Sequence, residues 1–238
     1  ISKLKNCAIE PEVIDLINFL KKCGANIKVK NRTITIKGVE ELNLEDYKVI
    51  PDRIEAGSYI LATMATKGRL RLNNFNPNDL TFPLKIYQDM GLKIKKISKS
   101  SYEFNCKRLK PIKKISTKEF PGYPTDLQAQ LIATQLKSAL KSKVVENIFE
   151  NRFIHIPELR RFGANLSIIG KTVTIHKTLN LFGAEVMATD IRASFSLIIA
   201  AMMSKGTTII NRIYHLDRGY EDFDLKLKKC GVNISRKK

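Results

Sequence analysis

Residues 12–29, EVIDLINFLKKCGANIKV, decide the fold, because the chain repeats their grammar three more times. Leu16, Phe19 and Leu20, spaced by three and four, predict one apolar face of a helix. Gly24 then supplies the left-handed backbone that ends a helix. After it, NIKVKNRTITIKG (26–38) alternates as the two strands of a hairpin.

The same order returns in DLTFPLKIYQDMGLKIKK (79–96), FIHIPELRRFGANLSII (153–169) and DFDLKLKKCGVNISRKK (222–238). Each has a glycine (Gly24, Gly91, Gly163, Gly231) followed by two residues and an aliphatic. The period is roughly 70 residues, too long for the common solenoids. Between these segments lie a second helix and strand, in 54–74, 125–147 and 189–211, each closing on asparagine. A unit therefore reads strand, helix, strand, helix, hairpin. It is expected three times after Pro51 and in part before it. Copies closing about a shared axis would put helices inside and sheets outside; an open array of α/β units is the alternative. The boundary falls near KVIPDRIEAG (48–57), where Pro51 interrupts an expected strand, YKVI.

A chain of 238 residues has room for a substantial core, and 43% hydrophobic with 27% charged residues is ordinary for a globular protein. The longest weakly polar run, 193–203, is too short to span a bilayer. The opening ISKLKNCAIEPEV has no apolar stretch of secretory type and no initiator methionine, so Ile1 is not expected to be the natural start. Cys7, Cys23, Cys106 and Cys230 form no C-x-x-C pair, which fits a reducing cytoplasm. The net charge is +19, with lysines scattered through every segment. It reads as a solvated basic surface, as attraction to an anionic small molecule, or as nucleic-acid binding, although no aromatic-basic stacking motif supports the last.

Two helices open on Thr-Asp: YPTDLQAQ around Asp126 and ATDIRAS around Asp190. An aspartate there caps free backbone N–H groups and suits the helix dipole. Arg192, in a first turn, opposes that dipole unless it meets an anion. Asp190 with Arg192 is either an anion clamp beside a base or an internal ion pair between repeats. In NRIYHLDRGYED (211–222), Asp217 and Arg218 lie in a loop at the unit position that Arg152 occupies in NIFENRFIHIPE (147–158). Asp217 pairing with Arg218 or Arg212 is the plain reading. His155, His176 and His215 form no ligand pair, and no phosphate-binding glycine loop is present.

FPGYPTDLQAQ (120–130), IFENRFIHIPELRRFGA (148–164), GAEVMATDIRASFSLIIAA (183–201) and NRIYHLDRGYED together closely resemble the UDP-N-acetylglucosamine enolpyruvyl transferase (1-carboxyvinyltransferase) family, over essentially the whole chain. The sister family acting on shikimate 3-phosphate looks less similar. The resemblance implies an inside-out α/β barrel of βαβαββ units with its site between two lobes. Residues 1–50 would end the first lobe and 51–238 would form most of the second. It implies transfer of the enolpyruvyl group of phosphoenolpyruvate to the sugar 3-hydroxyl, which opens peptidoglycan synthesis, with no metal or other cofactor.

On matching positions, Asp126 would be the carboxylate at the 3-hydroxyl. Ile148 would offer its main chain to the sugar nucleotide, where the family often has valine. Arg192 and Arg218 would hold phosphoenolpyruvate, Asp190 would be a second acid near the transferring carbon, and Arg152 a supporting arginine. The family's Lys-Asn motif and the mobile loop with its proton-donating cysteine would precede Ile1. The chain is thus expected to be a C-terminal portion, inactive without the N-terminal lobe. A truncated non-catalytic remnant and a basic nucleic-acid module are the alternatives.

Overall fold

Pro11, with its φ preset for a first turn, opens α1 (Pro11–Lys22), and Gly24 at φ +102° closes it. This computed structural model describes residues 1–138 and 140–237; positions 139 and 238 of the segments above lie outside them. Backbone contacts divide the chain into two units, Ile1–Asp52 with Glu119–Pro121, and Arg53–Lys118 with Gly122–Lys238.

In the first unit α1 lies between β1 (Ser2–Lys5) and the hairpin β2 (Asn26–Lys30) and β3 (Thr33–Lys37), and the three strands pair antiparallel in the order β1-β3-β2. Ile17, Ile27 and Ile34 form its core, joined by Val13, Ile14 and Leu20. The buried stripe of α1 is thus 13, 14, 17 and 20. Leu16, expected on that face, is 55% exposed, because one residue of helix rotates it about 100° from Ile17. Asp15 is buried instead and accepts bonds from the Tyr47 hydroxyl (2.7 Å) and the Ile50 amide (3.4 Å). YKVI, expected as a strand, forms none; its Tyr47 side chain and Ile50 amide are turned to Asp15 instead.

The second unit opens with α2 (Arg53–Ala65), β4 (Arg69–Leu72), α3 (Thr81–Asp89), β5 (Lys93–Lys96) and β6 (Tyr102–Asn105). Next come β7 (Ile115–Ser116), α4 (Gln128–Gln135), β8 (Ser142–Val145), α5 (His155–Arg161), β9 (Leu166–Ile169) and β10 (Thr172–Ile175). The last run is β11 (Glu185–Met187), α6 (Ile191–Met203), β12 (Ile209–Asn211), α7 (Tyr214–Asp217) and α8 (Phe223–Lys229). The sheets are ordered β4-β6-β5, β7-β8-β10-β9 and β11-β12; β7 with β8 and β11 with β12 are parallel, the hairpins antiparallel.

α2, α4 and α6 pack on one another. All of α4, and most of α2 and α6, is buried; α6 is apolar on most sides, whereas α4 takes Gln128, Gln130, Thr134 and Gln135 into the interior with it. Leu70, Phe104, Val144, Val173 and Val186 of the sheets join the same core cluster, so helices lie inside and sheets lay one face on them. Three polar side chains at this centre bond to one another: Ser58 Oγ lies 2.7 Å from the Tyr220 hydroxyl, and Gln130 Nε2 donates to Ser58 Oγ at 3.0 Å, whereas Gln130 Oε1, Gln128 Nε2 and the Tyr59 hydroxyl are buried without a hydrogen-bond partner. Gly57 lets α2 approach the turn before α4, since a Cβ there would sit 2.7 Å from Leu127 Cδ1.

Gly91, Gly163 and Gly231 also take positive φ (+106°, +86° and +88°) at the ends of α3, α5 and α8. A hairpin follows the first two. After Gly231, Val232 and Ile234 pack on the core and Asn233 is exposed, a strand-like alternation that joins no ladder among the described residues. No described helix is long and apolar enough to cross a membrane.

Candidate active site

The two Thr-Asp openings share their text and differ in their chemistry. Asp190 has extended backbone (φ −157°, ψ 172°) immediately before α6. Its Oδ1 accepts the amides of Arg192 (2.7 Å) and Ala193 (2.8 Å), so it is a helix cap. Asp126 lies one residue earlier relative to its helix, inside the 3-10 turn Thr125–Leu127, and no side-chain hydrogen bond caps that turn or α4. Its carboxylate is thereby released for partners outside its own backbone, which corrects the capping expectation.

Those partners are arginines from two other places in the chain. Arg152 Nη2 donates to Asp126 Oδ1 at 2.8 Å, and Arg192 Nε lies 3.1 Å from the same oxygen. The side chains are 26–31% exposed, so the cluster is half sunk and still open to an incoming ligand. The Arg152 guanidinium also lies over the Phe149 ring, 4.7 Å from its centroid, a cation–π contact that fixes its plane. Of the two readings for Arg192, an ion pair between repeats is therefore present, with Asp126 as the partner.

Ile148 is half-buried in the loop that follows β8. Its amide and that of Phe149 donate to the carboxylate of buried Glu146, at 2.8 and 3.2 Å. Sequence reasoning missed Glu146, which follows a strand and directly precedes the NIFENR motif, where attention fell on Ile148 and Arg152. It also gave no weight to His155, which is 2% exposed with Nε2 lacking a partner. Burial pushes the His155 pKa down to about 4; Asp190 opposes this and Arg152 adds to it, so the ring is neutral at pH 7.

Arg218 caps the C-terminal end of α7 and is exposed. Its neighbour Gly219 presses on the first turn of α6: a Cβ there would meet Ile191 Cγ2 at 2.9 Å and Arg192 Nη1 at 3.6 Å. Arg218 itself lines an open depression of about 690 Å³ with Asp217, Glu221, Asp222, Asp224 and Arg236. Asp217 pairs not with Arg218 or Arg212, the partners expected from sequence, but with both terminal nitrogens of Arg236. That guanidinium also lies over the Phe223 ring, 5.0 Å from its centroid, and its Nε is 3.4 Å from Asp224 Oδ1. The structure thus brings Asp126, Arg152 and Arg192 together, places Asp190 beside them through the α6 turn, and sets Arg218 on a neighbouring surface. Among the described residues no three His, Cys, Asp or Glu side chains are grouped to hold a metal.

Helices packed inside hairpin-bearing sheets, with acid and arginine side chains at the helix openings, define an α/β unit of the enolpyruvyl transferase kind. The chain belongs to the EPSP synthase (3-phosphoshikimate 1-carboxyvinyltransferase) family, whose pattern matches residues 1–227. It is 48% identical over 234 residues to a UDP-N-acetylglucosamine 1-carboxyvinyltransferase of Pelagibacter ubique, covering 98% of this chain and 56% of that protein. A protein of the same name from Bartonella henselae is 47% identical over 237 residues, covering 98% and 55%. Among solved structures, the enolpyruvyl transferase NikO from Streptomyces tendae superposes with a TM-score of 0.87 at 25% identity, covering 98% of this chain and 56% of that one. EPSP synthase from Acinetobacter baumannii shares the fold, with a TM-score of 0.71 at 15% identity over 93% and 55% of the two chains. The chain spans about half the length of the relatives it matches.

Proposed function

We propose that this chain carries one wall of an enolpyruvyl transferase site that takes phosphoenolpyruvate and UDP-N-acetylglucosamine, as the names of the relatives above suggest. The observation that carries the reading is the convergence of Arg152 and Arg192 on one oxygen of Asp126. In the reaction the sugar 3-hydroxyl oxygen bonds to C2 of phosphoenolpyruvate, its proton is removed, and C3 is protonated. The tetrahedral adduct then loses inorganic phosphate and a C3 proton, restoring the double bond.

Each side chain has a task in that sequence. Asp126 accepts the 3-hydroxyl proton. Arg192 and Arg218 hold the phosphate and carboxylate of phosphoenolpyruvate and meet the charge that shifts between them. Arg152 steadies Asp126, Ile148 offers its main chain to the sugar nucleotide, and Asp190 stands as a second acid while capping α6. The arriving phosphate competes with Asp126 for the arginines, so binding of one substrate frees the oxygen that the other requires. The partner is the remaining portion found in the relatives, and the setting we infer is the cytoplasm.

The test is phosphate release from phosphoenolpyruvate that depends on UDP-N-acetylglucosamine. The chain is assayed alone and joined to the N-terminal portion of the Pelagibacter relative. Turnover is expected only in the joined protein, and Asp126→Asn should abolish it. Turnover unaffected by Asp126→Asn would overturn the assignment.

A further inference from the structure

Glu146 is a buried carboxylate that the proposed chemistry does not use. It is 1% exposed, and no cation lies within ion-pair distance of it among the described residues. Four neutral donors hold it: Thr117 Oγ1 at 2.8 Å, the amides of Ile148 and Phe149 at 2.8 and 3.2 Å, and Thr125 Oγ1 at 2.9 Å. Thr117 Oγ1 in turn accepts the Asn147 amide at 2.8 Å. A short polar side chain could cap this turn alone, but only the two oxygens of a carboxyl group reach all four donors at once.

The donors come from three separate places. Thr117 follows β7, Thr125 immediately precedes Asp126, and Ile148 and Phe149 begin the loop that ends at Arg152. Phe149 also carries the Arg152 guanidinium on its ring. Both ends of the Asp126–Arg152 pair are therefore anchored, through main chain, to one carboxylate. We propose that Glu146 is a positioning residue: it locks the Thr125–Asp126 turn and the 147–149 backbone into one rigid frame, so that the sugar-nucleotide edge and the Asp126 carboxylate keep a fixed separation. The part of this that concerns the sugar nucleotide rests on the proposed function; the frame itself does not.

Three variants separate the effects. Glu146→Ala removes all four bonds. Glu146→Gln keeps one oxygen for Thr117, Ile148 and Phe149, and its amide can donate to the Thr125 hydroxyl, which reverses its role. Thr125→Val cuts one arm only. Amide hydrogen exchange on the whole chain is expected to rise roughly tenfold or more in Glu146→Ala at both 123–128 and 147–150, the loss of about one good hydrogen bond per segment. α6 should be unchanged. Glu146→Gln should restore most protection, and Thr125→Val should loosen 123–128 alone. Unchanged exchange at 123–128 in Glu146→Ala, or equal loosening throughout the second unit, would overturn the frame. Calorimetry with UDP-N-acetylglucosamine forms the second arm, where Glu146→Ala should bind about tenfold more weakly and Glu146→Gln nearly as wild type. If the wild-type chain shows no sugar-nucleotide binding, the functional reading fails for this chain while the exchange arm still decides the frame.

Discussion

Arg192 Nε lies 3.1 Å from Asp126 Oδ1, although the two residues belong to successive repeats. With Arg152 on the same oxygen, one carboxylate is shared by two cations. An anionic substrate would compete with that carboxylate for the guanidinium groups. Asp126→Asn removes the competitor and keeps the shape, so phosphoenolpyruvate should bind more tightly, by up to about tenfold at low salt. Arg192→Ala should weaken binding by a comparable or larger factor. Stability should change by about 1 kcal/mol or less in either variant, since the pair is partly solvated. Calorimetric titration at fixed ionic strength measures both; weaker binding in Asp126→Asn contradicts the competition.

Asp190 is tied to backbone, and its two roles can be separated. Asp190→Ala removes a cap from α6 and should cost about 1 kcal/mol in urea unfolding, whereas Asp190→Asn should cost only a few tenths, because asparagine caps as well. If Asp190 also serves as an acid near the transferring carbon, Asp190→Asn will retain stability and lose turnover in the joined protein. Equal stability in Asp190→Ala and wild type would show that the two amide bonds contribute nothing net.

Much of this fold was legible because its determinants are local. Helix-spaced apolar residues, a glycine at positive φ and an alternating hairpin can each be read within some twenty residues, and the structure places α1, α3, α5 and α8 before such glycines. The site was legible only as a set of residues. Thr125-Asp126 and Thr189-Asp190 are the same dipeptide, and their different work follows from a 3-10 turn in one case and extended backbone in the other. The pairings Arg192 with Asp126 and Arg236 with Asp217 join residues that only packing brings together. Glu146 adjoins the NIFENR motif yet was passed over, since a glutamate after a strand is ordinarily a solvated one. Leu16 failed for a smaller reason: several apolar spacings fit α1, and the hairpin selected the one through Ile17.

Gly219 is the contact through which the Arg218 loop and the α6 opening share a position. A methyl group there would press on Ile191 Cγ2 at 2.9 Å, beside Arg192. Gly219→Ala should therefore cost about 1–2 kcal/mol as an overpacked contact. It should also weaken phosphoenolpyruvate binding without removing any charge. Gly24→Ala meets nothing within 4 Å, though its φ of +102° strains any side chain. It should destabilise through backbone alone and leave binding unchanged, which makes it the control. Loss of affinity in both variants alike would trace the effect to general instability.

His155 gives the second unit an acid-sensitive element. Unfolded, its ring takes up a proton near pH 6.5; folded, burial holds this off to about pH 4. Between those values the unfolded chain binds the proton and the folded one does not, so stability rises with pH across the window. The contribution is complete above pH 6.5 and is lost as pH falls toward 4, by about 3 kcal/mol in all. Asp190 pulls the other way, so removing its charge in Asp190→Asn should steepen the loss, while His155→Gln should flatten it whatever its effect at neutral pH. Urea midpoints at intervals from pH 7.5 to 4.5 for the three proteins measure the slopes directly. A His155→Gln profile parallel to wild type would mean that the folded ring takes up its proton as readily as the unfolded one, against a site where it lies 2% exposed with Nε2 unpartnered.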